Sequence, residues 1–232
     1  METWGESRRG RLAAAVEDAL GDATGRRVRE DPVLPRTGGP AGNAVLTAWT
    51  ALVLLALSLA ECLTLFDVHG LISWHVAIGA LLVPPALMKT SSTGWRMVRY
   101  YLGDEPYQRA GPPPLLLRLL GPLVVVSTLG LLGSGVLLVL LGEDTARRSL
   151  LTAAGLRVDW ITLHQGFFAV WVGATSLHLL GRFVPALRIT VAGREASTVP
   201  GRAARALLLA AMAVSAVALA VVLVNAEDSW VY

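Results

Sequence analysis

The chain has 232 residues, of which 54% are hydrophobic and only 16% are charged, and its mean hydropathy is +0.57. A soluble domain carries about a quarter charged residues, and here the charges gather in a few segments between long apolar runs. The composition therefore predicts an integral membrane protein. The single cysteine, Cys62, excludes an internal disulfide and zinc motifs built on paired cysteines. The net charge of +3 is explained by basic loops that orient a membrane protein, so we expect no nucleic-acid partner.

The chain begins with a mixed-charge segment, residues 1–43, which ends in the Pro/Gly-rich linker "DPVLPRTGGPAGN". Five apolar runs follow, each near the ~20 residues that a helix needs to cross a bilayer. Because the backbone amides of a span must be satisfied internally, we expect an all-α protein with five transmembrane helices. The runs lie at 44–66, 70–89, 115–142, 160–181 and 204–224, with a cytoplasmic loop at 184–203 and an outer C-terminal tail within 204–232.

The basic residues predict the orientation of these helices. Seventeen of the twenty Lys and Arg residues lie in the N-terminal segment or in the loops after the second and fourth runs. Only Arg147, Arg148 and Arg157 lie on the opposite side. We therefore expect a protein of the plasma membrane. By the positive-inside rule, its N-terminus is expected in the cytoplasm and its C-terminus outside the cell.

Five ionisable residues fall inside the predicted spans, where such groups are rare and usually functional. They are Glu61, His75, Lys89, His164 and His178. His164 and His178 are fourteen positions apart on one helix, which places them on one face, ~21 Å apart along the axis. Lys89 follows His75 by the same fourteen positions on the second helix. Because the second and fourth helices run parallel, His75 is expected level with His164, and Lys89 level with His178.

Two imidazoles at one depth on parallel helices suit a haem with two axial histidine ligands. The alternative is a pair of interhelical hydrogen bonds that only hold the helices together. Lys89 could bind a metal beside His178 only if it were deprotonated; the competing interpretation is that its side chain extends to the lipid headgroups. Glu61 lies at a depth similar to His75, so it would accept the second N–H of that ring, relay protons, or simply be solvated at the interface.

The pattern resembles the membrane b-type cytochromes, the group that includes cytochrome b, cytochrome b561 and the haem subunits of formate dehydrogenases and hydrogenases. In the cytochrome b/b6 branch, two helices each carry histidines separated by thirteen residues and clamp two haems. Here His164, His178 and His75 match that arrangement, and Lys89 departs from it. The stretch "STGWRMVRYYLGDEPYQRAGPPP" is similar to a loop of actinobacterial cytochrome-b-like membrane proteins.

The resemblance implies a four-helix cytochrome-b-like core at 44–183, with a peripheral fifth helix, that binds one haem b and has a second candidate site at His178. Its iron ligands would be His75 and His164, with His178 at the second site. Gly79, Gly130 and Gly133 would leave room for a flat cofactor, although small residues also permit ordinary close helix packing.

The function expected from these residues is electron transfer between membrane quinone and a partner redox subunit. The sequence has no phosphate-binding glycine loop, nucleophile elbow or HExxH motif, so we expect a subunit of an oxidoreductase complex and not a stand-alone enzyme. The alternative is a non-redox membrane scaffold or a small transporter whose histidines are structural or relay protons.

Overall fold

The computed structural model describes residues 38–109, 115–153, 155–191 and 199–230, together with a few isolated positions between 10 and 21. Five long helices lie in these ranges: α1 Gly38–Thr64, α2 Ile72–Tyr101, α3 Leu115–Ala146, α4 Trp160–Val191 and α5 Arg202–Val224. Short elements connect them: the 3-10 turns Leu65–Asp67 and Asp228–Trp230, the helix Glu105–Arg109, and the antiparallel hairpin of β1 Leu151–Ala153 and β2 Leu156–Val158.

Four helices of the described part, α1, α2, α3 and α5, are long and apolar enough to cross a bilayer. The mostly helical class and a multi-pass membrane protein, both expected from the sequence, are therefore confirmed. Helix α4 has 32 residues, which at ~1.5 Å per residue exceeds the ~30 Å hydrocarbon core. Its passage through the membrane, and so the fifth span, stays a prediction.

The helices extend beyond the apolar runs. Helix α2 continues through the polar stretch after Lys89 to Tyr101, and α4 continues to Val191, well into the predicted loop. Residues 1–37 of the predicted N-terminal segment, apart from those isolated positions, and 192–198 of the predicted loop lie outside the described residues. The hairpin β1–β2 is the one departure from an all-α description within the described ranges, and it connects α3 to α4.

Helices α1 to α4 pack in a closed ring in which each contacts its two neighbours in chain order and α4 returns to α1. Helices α2 and α4 therefore lie diagonally across a four-helix bundle. Helix α5 lies outside the ring, packed along α2. It still supplies core: Ala220 and Leu223 are buried with Val76, Ala80 and Val139 in one apolar cluster.

Hydrogen bonds connect the elements at both ends of the bundle. At one end Asn43 donates its side-chain N–H to the Ser92 carbonyl at 2.9 Å, and the Thr47 and Ser92 hydroxyls are 2.9 Å apart. The other end carries the Leu65–Asp67 turn and the β-hairpin, and we call it the hairpin end. There the Trp230 indole N–H donates to the Leu138 carbonyl at 3.2 Å, close to the break in α3 at Gly142, whose φ is +72°.

The outer faces of the helices carry large apolar side chains. On α3, Val126 and Leu140 are each 62% exposed, and on α5 Val214 is 70% exposed. In water such faces would aggregate, whereas in a bilayer they contact lipid chains. Lipid is therefore the first partner of this fold.

Candidate functional site

One cluster of polar side chains lies inside the bundle near the hairpin end, and all four ring helices contribute to it. Helix α1 provides Glu61 and Thr64, α2 provides His75, α3 provides Ser134, and α4 provides His164. We call these five residues the histidine site. Polar groups at this position in an apolar bundle are costly unless they bond to one another or to a ligand.

The two histidines meet across the diagonal of the bundle. The ring centroids of His75 and His164 are 6.4 Å apart, and the ring planes are nearly perpendicular, at 85°. The level position expected from helix geometry and parallel direction is what the structure has. A direct N–H···N hydrogen bond would bring two imidazole centroids to about 5 Å, so the rings are too far apart to bond to each other.

The Nδ1 atom of His75 has two oxygen neighbours on α1. The Glu61 carboxylate oxygen Oε1 and the Thr64 hydroxyl oxygen each lie 2.9 Å from it. The Thr64 hydroxyl donates its one hydrogen to the Glu61 carbonyl, at 2.6 Å. Its oxygen must therefore accept from His75, since a hydroxyl has one donor only. The hydrogen-bond network thus assigns the proton of His75 to Nδ1.

The ring proton of His164 is assigned in the same way, from its hydrogen-bond partners. Its Nδ1 lies 3.0 Å from the Ser134 hydroxyl oxygen, and that hydroxyl donates to the Leu131 carbonyl at 3.0 Å. Ser134 is 4% exposed, so no bulk water competes for these bonds. With the hydroxyl hydrogen assigned to the Leu131 carbonyl, the Ser134 oxygen accepts from His164, and this assignment puts the His164 proton on Nδ1 as well.

Both rings thus have an unprotonated Nε2, which is the form in which imidazole binds a metal. Imidazoles that bind one iron through Nε2 from opposite sides have centroids about 6 Å apart, and the observed 6.4 Å agrees with that spacing. The spacing of the two rings is therefore compatible with a haem held by two histidine ligands.

A bare metal ion fits less well. Among the residues that the structure describes, no three His, Cys, Asp or Glu side chains are grouped closely enough to hold one. A structural or catalytic ion usually takes three or four protein ligands. Haem supplies four equatorial nitrogens of its own, so two axial histidines are sufficient.

Two glycines lie against this site. A Cβ at Gly79 would be 3.4 Å from the Glu61 Oε1 atom, so Gly79 lies against the carboxylate of Glu61. A Cβ at Gly135 would be 3.2 Å from the Cε1 atom of His164, closer than most side-chain contacts. Gly135 thereby lets α3 approach the imidazole on α4.

The other two glycines expected at a cofactor have different surroundings. At Gly130 a Cβ would overlap the ring of Phe167, so this glycine accommodates that phenyl ring. Gly133 is exposed with no atom near its missing Cβ, on the outward face that also carries Val126 and Leu140. The structure therefore does not bring Gly133 to the histidine site, because the helix is rotated so that Ser134 lies inward, and the role of Gly133 beside a cofactor stays a prediction.

The second predicted site lies in the other half of the bundle. His178 and Lys89 are both half-buried, on α4 and α2 respectively. The Lys89 carbonyl accepts a hydrogen bond from the Ser92 hydroxyl at 3.0 Å. Their expected roles as a second ligand set stay predictions.

Thr64 and Ser134 were not singled out by the sequence, although they determine which ring nitrogens carry protons. Ser134 lies in "GLLGSG", where a serine between two glycines in an apolar run is the available signal. Thr64 closes α1 through its bond to the Glu61 carbonyl and so resembles any hydroxyl at a helix end.

Comparison with known proteins adds no relative: no protein-family model, no curated protein and no solved structure matches this chain. The function therefore has to be inferred from the site alone.

Proposed function

We propose that this protein is a membrane-bound b-type cytochrome. The observation that carries the proposal is the pair of imidazoles, His75 and His164, 6.4 Å apart with Nδ1 of each already bonded to a helix-borne oxygen. When bound, haem b would supply a centre that accepts and releases one electron without atom transfer.

The chain's own residues would hold and orient that group. His75 and His164 would hold its iron, one from each of two diagonal helices. Ser134 and the Glu61–Thr64 pair would fix the orientation of the two rings, because each accepts the Nδ1 hydrogen and leaves Nε2 toward the metal. The apolar bundle around them would exclude water.

The proposed placement in the membrane follows the charge distribution. With five spans and a cytoplasmic N-terminus, the hairpin end and the histidine site lie near the outer surface of the plasma membrane. The described loops are short, so substrate chemistry would belong to a partner redox subunit, and membrane quinone is the expected lipid-soluble exchange partner. A second haem would lie toward the cytoplasmic side at His178.

The test is a spectrum of the purified protein. Chain produced in haem-replete cells is expected to show a Soret band, a dithionite-reduced minus oxidised difference spectrum of haem b, and at least one haem per chain. His75→Ala and His164→Ala should lose that haem while still inserting in the membrane. His69→Ala is the matched control, because His69 is exposed in the turn before α2. Wild-type protein without a Soret band would end the proposal.

A second candidate is a non-redox scaffold or transporter, favoured by the observation that both histidines already hydrogen-bond neighbouring helices. Such bonds between membrane helices contribute about 0.6 kcal/mol, and rarely more than about 1.7 kcal/mol. In that case the alanine variants lose a little stability, and added haem changes nothing.

A further inference from the structure

The two proposed ligands are not supported equally. His164 donates to a serine hydroxyl, a neutral acceptor, at 3.0 Å. His75 has a carboxylate oxygen and a threonine hydroxyl at the same 2.9 Å from its Nδ1 atom. The Nδ1–H group of His75 thus faces two acceptors of different charge. This difference between the two ligands bears on the reduction potential of the proposed iron site.

With the proton of His75 assigned to Nδ1, Glu61 and Thr64 compete for that hydrogen. Thr64 has used its only hydrogen on the Glu61 carbonyl, so its oxygen can act toward His75 only as an acceptor. The Glu61 side chain is 17% exposed, and its second oxygen, Oε2, is buried with no hydrogen-bond partner among the described residues. The carboxylate is therefore poorly solvated, and the hydrogen of His75 is its principal stabilising contact.

Resting on the proposed function, we propose that Glu61 and Thr64 are opposed positioning residues that set the reduction potential of the haem held by His75. A carboxylate that accepts the far N–H of a ligand imidazole makes the metal-bound nitrogen more basic. A more basic ligand stabilises the more positive, ferric state, so Glu61 lowers the potential. Thr64 draws part of the same hydrogen to a neutral oxygen and so weakens this effect.

The proposal predicts opposite signs for two neighbouring substitutions. Glu61→Gln keeps an amide oxygen as acceptor but removes the charge, so the midpoint potential should rise. Thr64→Val removes the competing hydroxyl with little change in shape, so the hydrogen is committed to the carboxylate and the potential should fall. Damage to the bundle would not shift the potential in both directions.

The experiment is redox titration of wild type, Glu61→Gln and Thr64→Val in lipid nanodiscs at one pH. Ser134→Ala is the matched variant at the other ligand, and its shift should be smaller than that of Glu61→Gln because it removes a neutral acceptor. In haem-free protein with 15N-labelled histidine, NMR should place the proton of His75 on Nδ1, and both α1 substitutions should move that nitrogen's resonance.

Two results would overturn the inference: haem-loaded Glu61→Gln with the wild-type potential, or the two α1 variants shifting in the same direction. If Glu61→Gln fails to retain haem, Thr64→Val decides alone, since an unchanged or raised potential contradicts the proposal. A wild-type protein that binds no haem is a different outcome, because it removes the proposed function itself.

Discussion

Replacing His164 by alanine tests whether His164 is a haem ligand or only a structural residue, because only a ligand changes the stability that the protein gains from haem. In haem-free protein the substitution removes the bond to Ser134 and half-buried ring contacts, a cost of about 1–3 kcal/mol. If the proposed function is correct, the wild type should gain further stability on binding haem, about 2.7 kcal/mol when free haem is 100 times its dissociation constant. For a chain of this length that corresponds to a rise in Tm of roughly 5–10 °C.

The assay is thermal unfolding in detergent, with and without haemin, for wild type, His164→Ala and His69→Ala. Wild type and His69→Ala should gain the full rise in Tm, and His164→Ala should gain little because one of two axial ligands is missing. The reasoning is refuted if haemin raises the Tm of His164→Ala as much as that of wild type, since haem would then bind elsewhere.

Two further predictions concern the frame around the site. Gly130→Ala should destabilise the bundle by about 1–3 kcal/mol, because the new methyl group would overlap the Phe167 ring. Gly133→Ala, on the open outer face, should stay within about 0.5 kcal/mol of wild type, and equal denaturation midpoints for the two variants would contradict this packing. Asp159 caps α4 by accepting the Thr162 N–H and hydroxyl at 2.8 Å, and these bonds hold the pKa of Asp159 below its usual value. Asp159→Ala should lower the free energy of unfolding by about 1 kcal/mol at neutral pH. Because the cap stabilises the fold only while the carboxylate is ionised, the difference from wild type should shrink as the pH falls through the lowered pKa of Asp159. A difference in stability that is constant with pH would exclude the cap.

The meeting of His75 and His164 was accessible from the sequence because helices are stiff and regular. The rise and rotation per residue place a side chain at a depth and on a face, and the turn between α1 and α2 fixes the direction of each helix. Those rules need no knowledge of packing. They led to the two rings that the structure brings together.

The rotation of α3 was not accessible in the same way. This helix is apolar on every side, so hydrophobicity does not indicate which face is inward, and Gly133 could not be distinguished from Gly135. Packing decided it: the buried hydroxyls of Ser127 and Ser134 face inward, seven residues apart. The extension of α2 to Tyr101 was missed for another reason, because its polar residues continue a helix beyond the length that a bilayer requires.

The central claim is that one iron is held between His75 and His164, and low-temperature electron paramagnetic resonance of the oxidised protein tests it most directly. Two imidazole ligands with planes near 85° to each other predict a low-spin, strongly anisotropic ferric signal that disappears in His75→Ala. A high-spin ferric signal in the wild type, or a low-spin signal that survives His75→Ala unchanged, would contradict the account.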